Sequence, residues 1–284
     1  MEIKYIDIHS HLGFEDYGTD QKEVIKRMQD AGVATIVVGA DLESSKEAVK
    51  VTTENENIWA CIGMHPNHNL TEVFDEKKYE ELVKNPKVVA IGECGLEYYK
   101  LTGDIEEIKK RQKENFIKQI EFAIKYKKPL MLHIRDFDNK SRQDVLKNRL
   151  SPDKAHFENI LSASAFDDAY EILKKYEGRV FGNLHFFTSN LKNAERFIAL
   201  GFTVSFPGII TYLRDFDKTI KSIPLDKIHA ETDSPYAPPL PHRGERNEPS
   251  YVIEVYKKIA EIRGEDQEKV RLQLLENAKR VFNL

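Results

Sequence analysis

Short runs rich in β-branched residues recur along the chain, separated by longer stretches in which apolar positions return every three or four residues. The short runs read as strands near Tyr5–His9, Ala34–Val38, Ile58–Ile62, Val88–Ile91, Leu130–His133, Val180–His185, Phe202–Phe206 and Ile228–Glu231. The longer ones read as helices over Lys22–Ala31, Leu42–Glu54, Glu76–Lys84, Glu106–Tyr126, Ala169–Tyr176 and Ala194–Leu200. A weaker helix is expected near Asp215–Ser222, and two more over Ser250–Arg263 and Gln267–Val281. Strands alternating with helices predict an α/β fold with a parallel sheet, and the count of eight selects a (β/α)8 TIM barrel. The stretch "SPYAPPLPHRGERNEP" after the eighth strand cannot be helix interior, because proline lacks the amide donor and clashes with the preceding turn. It should form an ordered loop over one end of the barrel.

The length of 284 residues suits one such barrel, and neither an internal repeat nor a low-complexity linker divides it, so a single domain over 1–284 is expected. Hydrophobic residues at 40% and charged residues at 32% supply a large core and argue against disorder. A formal net charge of -4 excludes a protein that coats nucleic acid through many phosphate contacts, while leaving room for local contact with a nucleic-acid end. Cys61 and Cys94 sit in apolar stretches and read as buried thiols of a reducing compartment. No apolar run is long enough to span a membrane, and Met1 leads almost directly into a strand without a signal-peptide pattern, so a cytoplasmic protein is expected. No protein partner is implied.

In a barrel of this kind the residues that do chemistry stand at the carboxyl ends of the strands. Those ends carry His9 and His11 in "YIDIHSHL", Glu93 in "VVAIGECGL", His133 in "PLMLHIRD", His185 in "FGNLHFFTS" and Asp233 in "HAETDSPY". Strand alternation sends His9 and His11 to one side, into the barrel, with Ile6 and Ile8 facing the helices. An isolated His-x-His pair is readily a hydrogen-bonded core feature, but six good ligands on one rim point to divalent cations. Six exceed what one tetrahedral ion takes. They suit two ions: His9, His11 and Asp233 on the first, His133 and His185 on the second, with Glu93 bridging. Two cations about 3.5–4 Å apart lower the pKa of a water between them and clamp the oxygens of a phosphoryl displacement. Asp233 would orient that water or take its proton.

The same residues resemble the TatD family of metal-dependent deoxyribonucleases, within the amidohydrolase-like barrels. The strings "DIHSHL", "GMHPN", "VVAIGECGLEYY", "PLMLHIRD", "LHFFTS", "LGFTVSFPGIITY", "ETDSPY" and "PHRGERNEPSYV" follow the family's order along nearly the whole chain. The resemblance implies a TIM barrel, metal-dependent phosphodiester hydrolysis, often 3′ to 5′ removal of nucleotides from DNA, and metal ligands at His9, His11, Glu93, His133, His185 and Asp233. DNA, as single strands or 3′ ends, becomes the expected substrate, and zinc, magnesium or manganese the expected pair of cations. In the family's pattern His65 lines the substrate pocket, although a loop-capping role also fits. Arg243 in "PHRG" could fork onto a phosphate or stabilise its loop, and His242 is a weaker candidate.

The chain departs from the family at Glu97, where Asp is usual, and at Met64 and Ala237. The larger departure is the spacing of 52 positions from His133 to His185, about twice the family's. The excess falls near 137–164, at the mouth of the site, with Lys140, Arg142, Lys147, Arg149 and Lys154 against Asp144 and Asp153. It reads either as a phosphate-contacting lid or as a solvated surface excursion. The alternative activity is hydrolysis of amide or lactone bonds of a small molecule. Barrels of that class also use His-x-His and a strand-eight Asp, but often bridge with a lysine where this chain has Glu93.

Overall fold

The computed structural model describes residues 2–67, 72–136 and 164–284. Eight parallel strands, β1 (Tyr5–Ser10), β2 (Val33–Val38), β3 (Ile58–Ile62), β4 (Val88–Glu97), β5 (Leu130–Arg135), β6 (Gly182–Leu184), β7 (Phe202–Phe206) and β8 (Ile228–Ala230), pair in sequence order. Helices alternate with them: α1 (Gln21–Asp30), α2 (Leu42–Thr53), α3 (Glu76–Val83), α4 (Ile105–Tyr126), α5 (Ala165–Lys174), α6 (Leu191–Ala199) and α7 (Asp217–Ser222), followed by α8 (Val252–Arg263) and α9 (Gln267–Phe282). The barrel is nearly closed. Ser10 bridges Ser234 beyond the end of β8, His11 N donates to Ser234 O at 2.7 Å, and Asp233 N donates to His9 O at 2.9 Å. Lower on β1, where β8 does not reach, the Tyr256 hydroxyl of α8 serves both the N–H and the C=O of Ile6, at 3.2 and 3.0 Å. The backbone there stays hydrogen-bonded without a strand neighbour.

Strand alternation divides the core in two. Val33, Val37, Ile58, Ala60, Ile62, Leu130 and Leu132 pack outward against helix residues such as Val24, Met28, Ala48, Phe116 and Ile120. The inward residues of β1 to β5, among them Ala34, Ile36, Val38, Cys61 and Met131, form a second cluster with Leu275, Ala278 and Phe282 of α9. This helix lies across the amino-terminal end of the barrel, where Asn277 Nδ2 donates to Leu225 O and Ile228 O. On the β6 to β8 side the interior is polar: Ser205 Oγ donates to Asn183 Oδ1 at 2.7 Å and to Glu231 Oε2 at 2.6 Å, and His229 meets Thr203.

The facing expected for β1 needs correction. Ile6 and Ile8 belong to the inner cluster and do not face the helices. The pairing of β1 with β2 shifts between Asp7 and Ser10, so a bulge reverses the alternation after Ile8. Ile6, Ile8, His9 and His11 all point inward as a result. Asp7 is paired with Thr35 instead, and its carboxylate accepts from Thr232 N, Thr232 Oγ1 and His9 N at 2.8, 2.6 and 3.2 Å.

Other boundaries shift for local reasons. β4 continues to Glu97, so Glu93 lies within the strand, and β6 ends at Leu184, just before His185. α5 begins at Ala165 because Ser164 caps it, accepting from Phe166 N, and because Ala165 and Phe166 are themselves buried. Residues 137–163, including the five basic residues of the expected excursion, lie outside the described residues. The two chain ends that flank them are tied together, with Asp136 accepting from Ser164 Oγ at 2.7 Å and from Ala165 N at 2.5 Å. Among the described residues no helix is long and apolar enough to cross a membrane. Cys61 and Cys94 are free and buried, and burial pushes both thiols up.

Candidate metal centre

Because of the bulge in β1, His9 and His11 enter the barrel mouth side by side with their Nε2 atoms 3.3 Å apart. His11 Nδ1 meets Val38 O at 3.0 Å, which aims Nε2 at the site. The His9 ring stacks on His185, 3.7 Å between centroids and 15° between planes. Glu93 reaches the same point from β4, and its placement depends on two glycines. A Cβ on Gly92 would stand 2.3 Å from Met131 O and one on Gly95 2.1 Å from His133 O, so only glycine lets β5 approach this closely. Asp233 follows β8 in the left-handed region at φ 54, a conformation Asp tolerates better than most residues and which the bonds from Asp233 N to His9 O and from Tyr236 N to Asp233 O hold.

The carboxylate of Glu93 spans both histidine pairs. Oε1 lies 2.7 Å from His133 Nδ1 and 2.9 Å from His185 Nε2, while Oε2 lies 3.6 Å from His9 Nε2 and 3.7 Å from His11 Nε2. Asp233 Oδ1 completes the second group at 3.7 Å from His9 Nε2 and 3.4 Å from His11 Nε2. These spacings test the fit of a metal. Four ligands at roughly 2.0–2.2 Å around a tetrahedral ion stand about 3.4 Å from one another. His9 Nε2 and His11 Nε2 stand 3.3 Å apart and 3.4 to 3.7 Å from Glu93 Oε2 and Asp233 Oδ1, too long for good hydrogen bonds and right for ligands around a shared cation. The donor set fits. At the His133 and His185 pair the contacts are instead of hydrogen-bond length, so protons hold those groups together.

The electrostatics follow the same division. Burial, reinforced by the charge of His185, pushes His9 down to about 3 and keeps it neutral as a ligand must be. Burial also opposes charge on His133, but Glu93 and Glu97 outweigh it and raise the group to about 9. Burial is likewise overcome at His185, where Glu231 and Glu93 hold the pKa well above its usual value, and at His11, raised by Asp233 and Glu93. Burial would protonate Glu93, but the histidines around it keep its pKa well below the usual carboxylate range.

Two carboxylates in this site escape a search for ligands at strand ends. Glu97 Oε2 lies 2.9 Å from His133 Nε2, and its Oε1 accepts from Tyr99 N at 2.8 Å. Gln112 of α4 fixes the Glu97 backbone from both sides, accepting from its N–H and donating to its C=O. Glu231, fully buried, accepts from Phe186 N and Ser205 Oγ and faces His185 Nδ1 at 3.4 Å. A signal for Glu231 is its place two residues before Asp233, on the inward face.

The structure brings together His9, His11, Glu93, His133, His185 and Asp233, and adds His65. His65 Nδ1 accepts from Asn67 N at 3.1 Å while Nε2 stands 3.5 Å from Glu93 Oε1, so it both caps its loop and faces the site. All of them except the fully buried His9 border a cavity of about 550 Å³ whose walls also include Phe14, Arg135, Phe186, Thr188 and Tyr236. Arg243 is not among its lining residues; its guanidinium lies over the Tyr212 ring at 4.3 Å. His242 stacks on Tyr251 at 3.6 Å and pairs with Glu245.

Comparison with known proteins agrees with this geometry. The profile of the TatD related DNase family matches residues 6–283. A Bacillus subtilis (strain 168) protein named as the uncharacterized metal-dependent hydrolase YabD is 34% identical over 98% of both chains. The Escherichia coli (strain K12) protein named as the uncharacterized metal-dependent hydrolase YcfH is 31% identical, covering 98% of this chain and 96% of its own. Among solved structures, YjjV of Escherichia coli K12, a TatD homolog, superposes with a TM-score of 0.81 at 27% identity over the whole of both chains.

Proposed function

The chain belongs to the TatD family of metal-dependent hydrolases, and from that membership we propose that it hydrolyses phosphodiester bonds of DNA, removing nucleotides from single strands or 3′ ends. The observation that carries this reading is the Glu93 carboxylate, one oxygen toward His133 and His185 and the other toward His9 and His11. In this reading it is the bridging ligand, a carboxylate where amide- and lactone-cleaving barrels often use lysine.

His9, His11 and Asp233 would hold one divalent cation, His133 and His185 a second, with Glu93 shared between them. Imidazole with carboxylate suits zinc or manganese, and magnesium where oxygen ligands dominate. When bound, such a pair lowers the pKa of water to near neutrality and stabilises charge on attacking and leaving oxygens. The chain's own groups do the rest. Glu97 and Glu231 orient the rings of His133 and His185, which stops either from turning away. Asp233, on the cavity wall, takes the proton of the attacking water, and His65 holds a phosphate oxygen beside Glu93. Phe14, Phe186 and Tyr236 give the walls aromatic faces on which a base can stack.

The test is to strip the protein of metal and assay it on 3′-labelled single-stranded DNA with each cation restored in turn, alongside a panel of amides and lactones. Stepwise, cation-dependent loss of 3′ nucleotides is expected. Turnover of an amide or lactone with intact DNA would overturn the proposal.

A further inference from the structure

Among the described residues that line the cavity, Arg135 is the lone lysine or arginine. It stands two residues beyond His133 on β5, and its side chain is 48% exposed. Its guanidinium carbon lies 3.8 Å from the centroid of the Tyr99 ring, which fixes the plane of the fork. The nearest carboxylate contact described for it, Nη1 to Glu97 Oε2, is 4.0 Å, too long for a hydrogen bond. Both oxygens of Glu97 are meanwhile engaged, Oε1 by Tyr99 N and Oε2 by His133 Nε2. Glu97 therefore balances the guanidinium charge at a distance without occupying its donors.

A planar, preoriented fork of N–H donors at the wall of a cavity lined by no other described lysine or arginine matches the two non-bridging oxygens of a phosphate. It stands beside the ligand group without joining it: Nη1 is 4.0 Å from Glu97 Oε2, the oxygen that meets His133 Nε2 at 2.9 Å, so the guanidinium neighbours the place where the scissile phosphate would sit and is free for the next one. We propose that Arg135 binds the phosphate next to the scissile one, so that the site selects a chain of at least two phosphodiesters over an isolated diester. This rests on the phosphodiesterase reading above and adds a subsite to it.

The experiment compares wild type and Arg135→Gln on a short oligonucleotide whose phosphate adjacent to the scissile bond is either native or an uncharged methylphosphonate. A charge-assisted hydrogen-bond pair is worth on the order of a tenfold to hundredfold change in binding. Neutralising that phosphate should raise KM for wild type by such a factor, with kcat little changed. Arg135→Gln should show the raised KM with native DNA already, and no further rise with methylphosphonate. Arg135→Lys should recover part of the discrimination, and metal content should match wild type in both variants. If wild type cleaves both oligonucleotides with equal KM, or if Arg135→Gln keeps full sensitivity to the methylphosphonate, the subsite is refuted. Loss of bound metal in Arg135→Gln would also overturn it, since Arg135 would then be acting through Glu97 and His133. Failure of wild type to cleave either oligonucleotide would instead remove the nuclease reading.

Discussion

Glu97→Gln changes one oxygen to an amide nitrogen and leaves size and shape alone, yet the geometry predicts a large and local effect. Glu97 is only 3% exposed and accepts two hydrogen bonds, from Tyr99 N and from His133 Nε2. A glutamine has one acceptor oxygen and one donor group at the same two positions, so a donor must face a donor at one of them. Leaving a buried donor unsatisfied costs about 1–3 kcal/mol. Independently, losing the outer hydrogen-bond partner of a metal-binding histidine weakens metal affinity by about 10–100-fold. That factor corresponds to about 1.4–2.7 kcal/mol, so the two arguments agree. The loss should fall on one cation, because His9, His11 and Asp233 make none of the contacts described for Glu97. Titrating zinc into the metal-stripped variant against a chromogenic chelator should give one equivalent bound as in wild type and a second bound 10–100-fold more weakly. Two equivalents of wild-type affinity, or equal weakening of both, would refute the reasoning.

Glu93→Gln should release both cations and lower turnover further than His11→Ala or His133→Ala, since its carboxylate touches both histidine pairs; metal analysis and kinetics on the three variants decide this. His11→Ala and His133→Ala should lose metal while keeping wild-type circular dichroism, because both side chains border the cavity and not the packed clusters; unfolding with unchanged metal content would make them structural. The metal-free protein should lose thermal stability as pH rises between 6.5 and about 9, because His133 is raised from the first value to the second by its carboxylate partners. A raised histidine contributes fully below its unfolded pKa and nothing above its folded one. Calorimetry across this range should show the decline without metal, and a flat profile in its metal-free form would sink the argument.

Much of this was readable in the sequence because it depends on period and position. Ile58–Ile62 and Phe202–Phe206 are strands with the expected bounds, and the six proposed ligands converge because strands of a barrel share a carboxyl end. The failures have one character. Alternation alone places Ile6 and Ile8 opposite His9, but a bulge, which period-two reading cannot detect, reverses the facing within a single strand. Glu97 and Arg135 look like ordinary charges at the end of a run, and their roles depend on β4 and β5 approaching at Gly92 and Gly95. Arg243 drew attention through its motif, whereas the seating of its guanidinium over the Tyr212 ring is a tertiary fact.

The clasp between Asp136 and the start of α5 bears on how such a barrel varies. Closing a loop costs entropy that grows only slowly with its length. Here the carboxylate of Asp136 holds Ser164 and Ala165 directly, so the register of β5 and the first turn of α5 are defined before a residue of 137–163 is counted. Each doubling of such a connection adds only about 0.6 kcal/mol of closure cost, so the anchoring of His133 and α5 does not depend on how many residues lie between the two halves of the clasp. The clasp works as a port, fixing where the connection leaves the frame behind the mouth and where it re-enters.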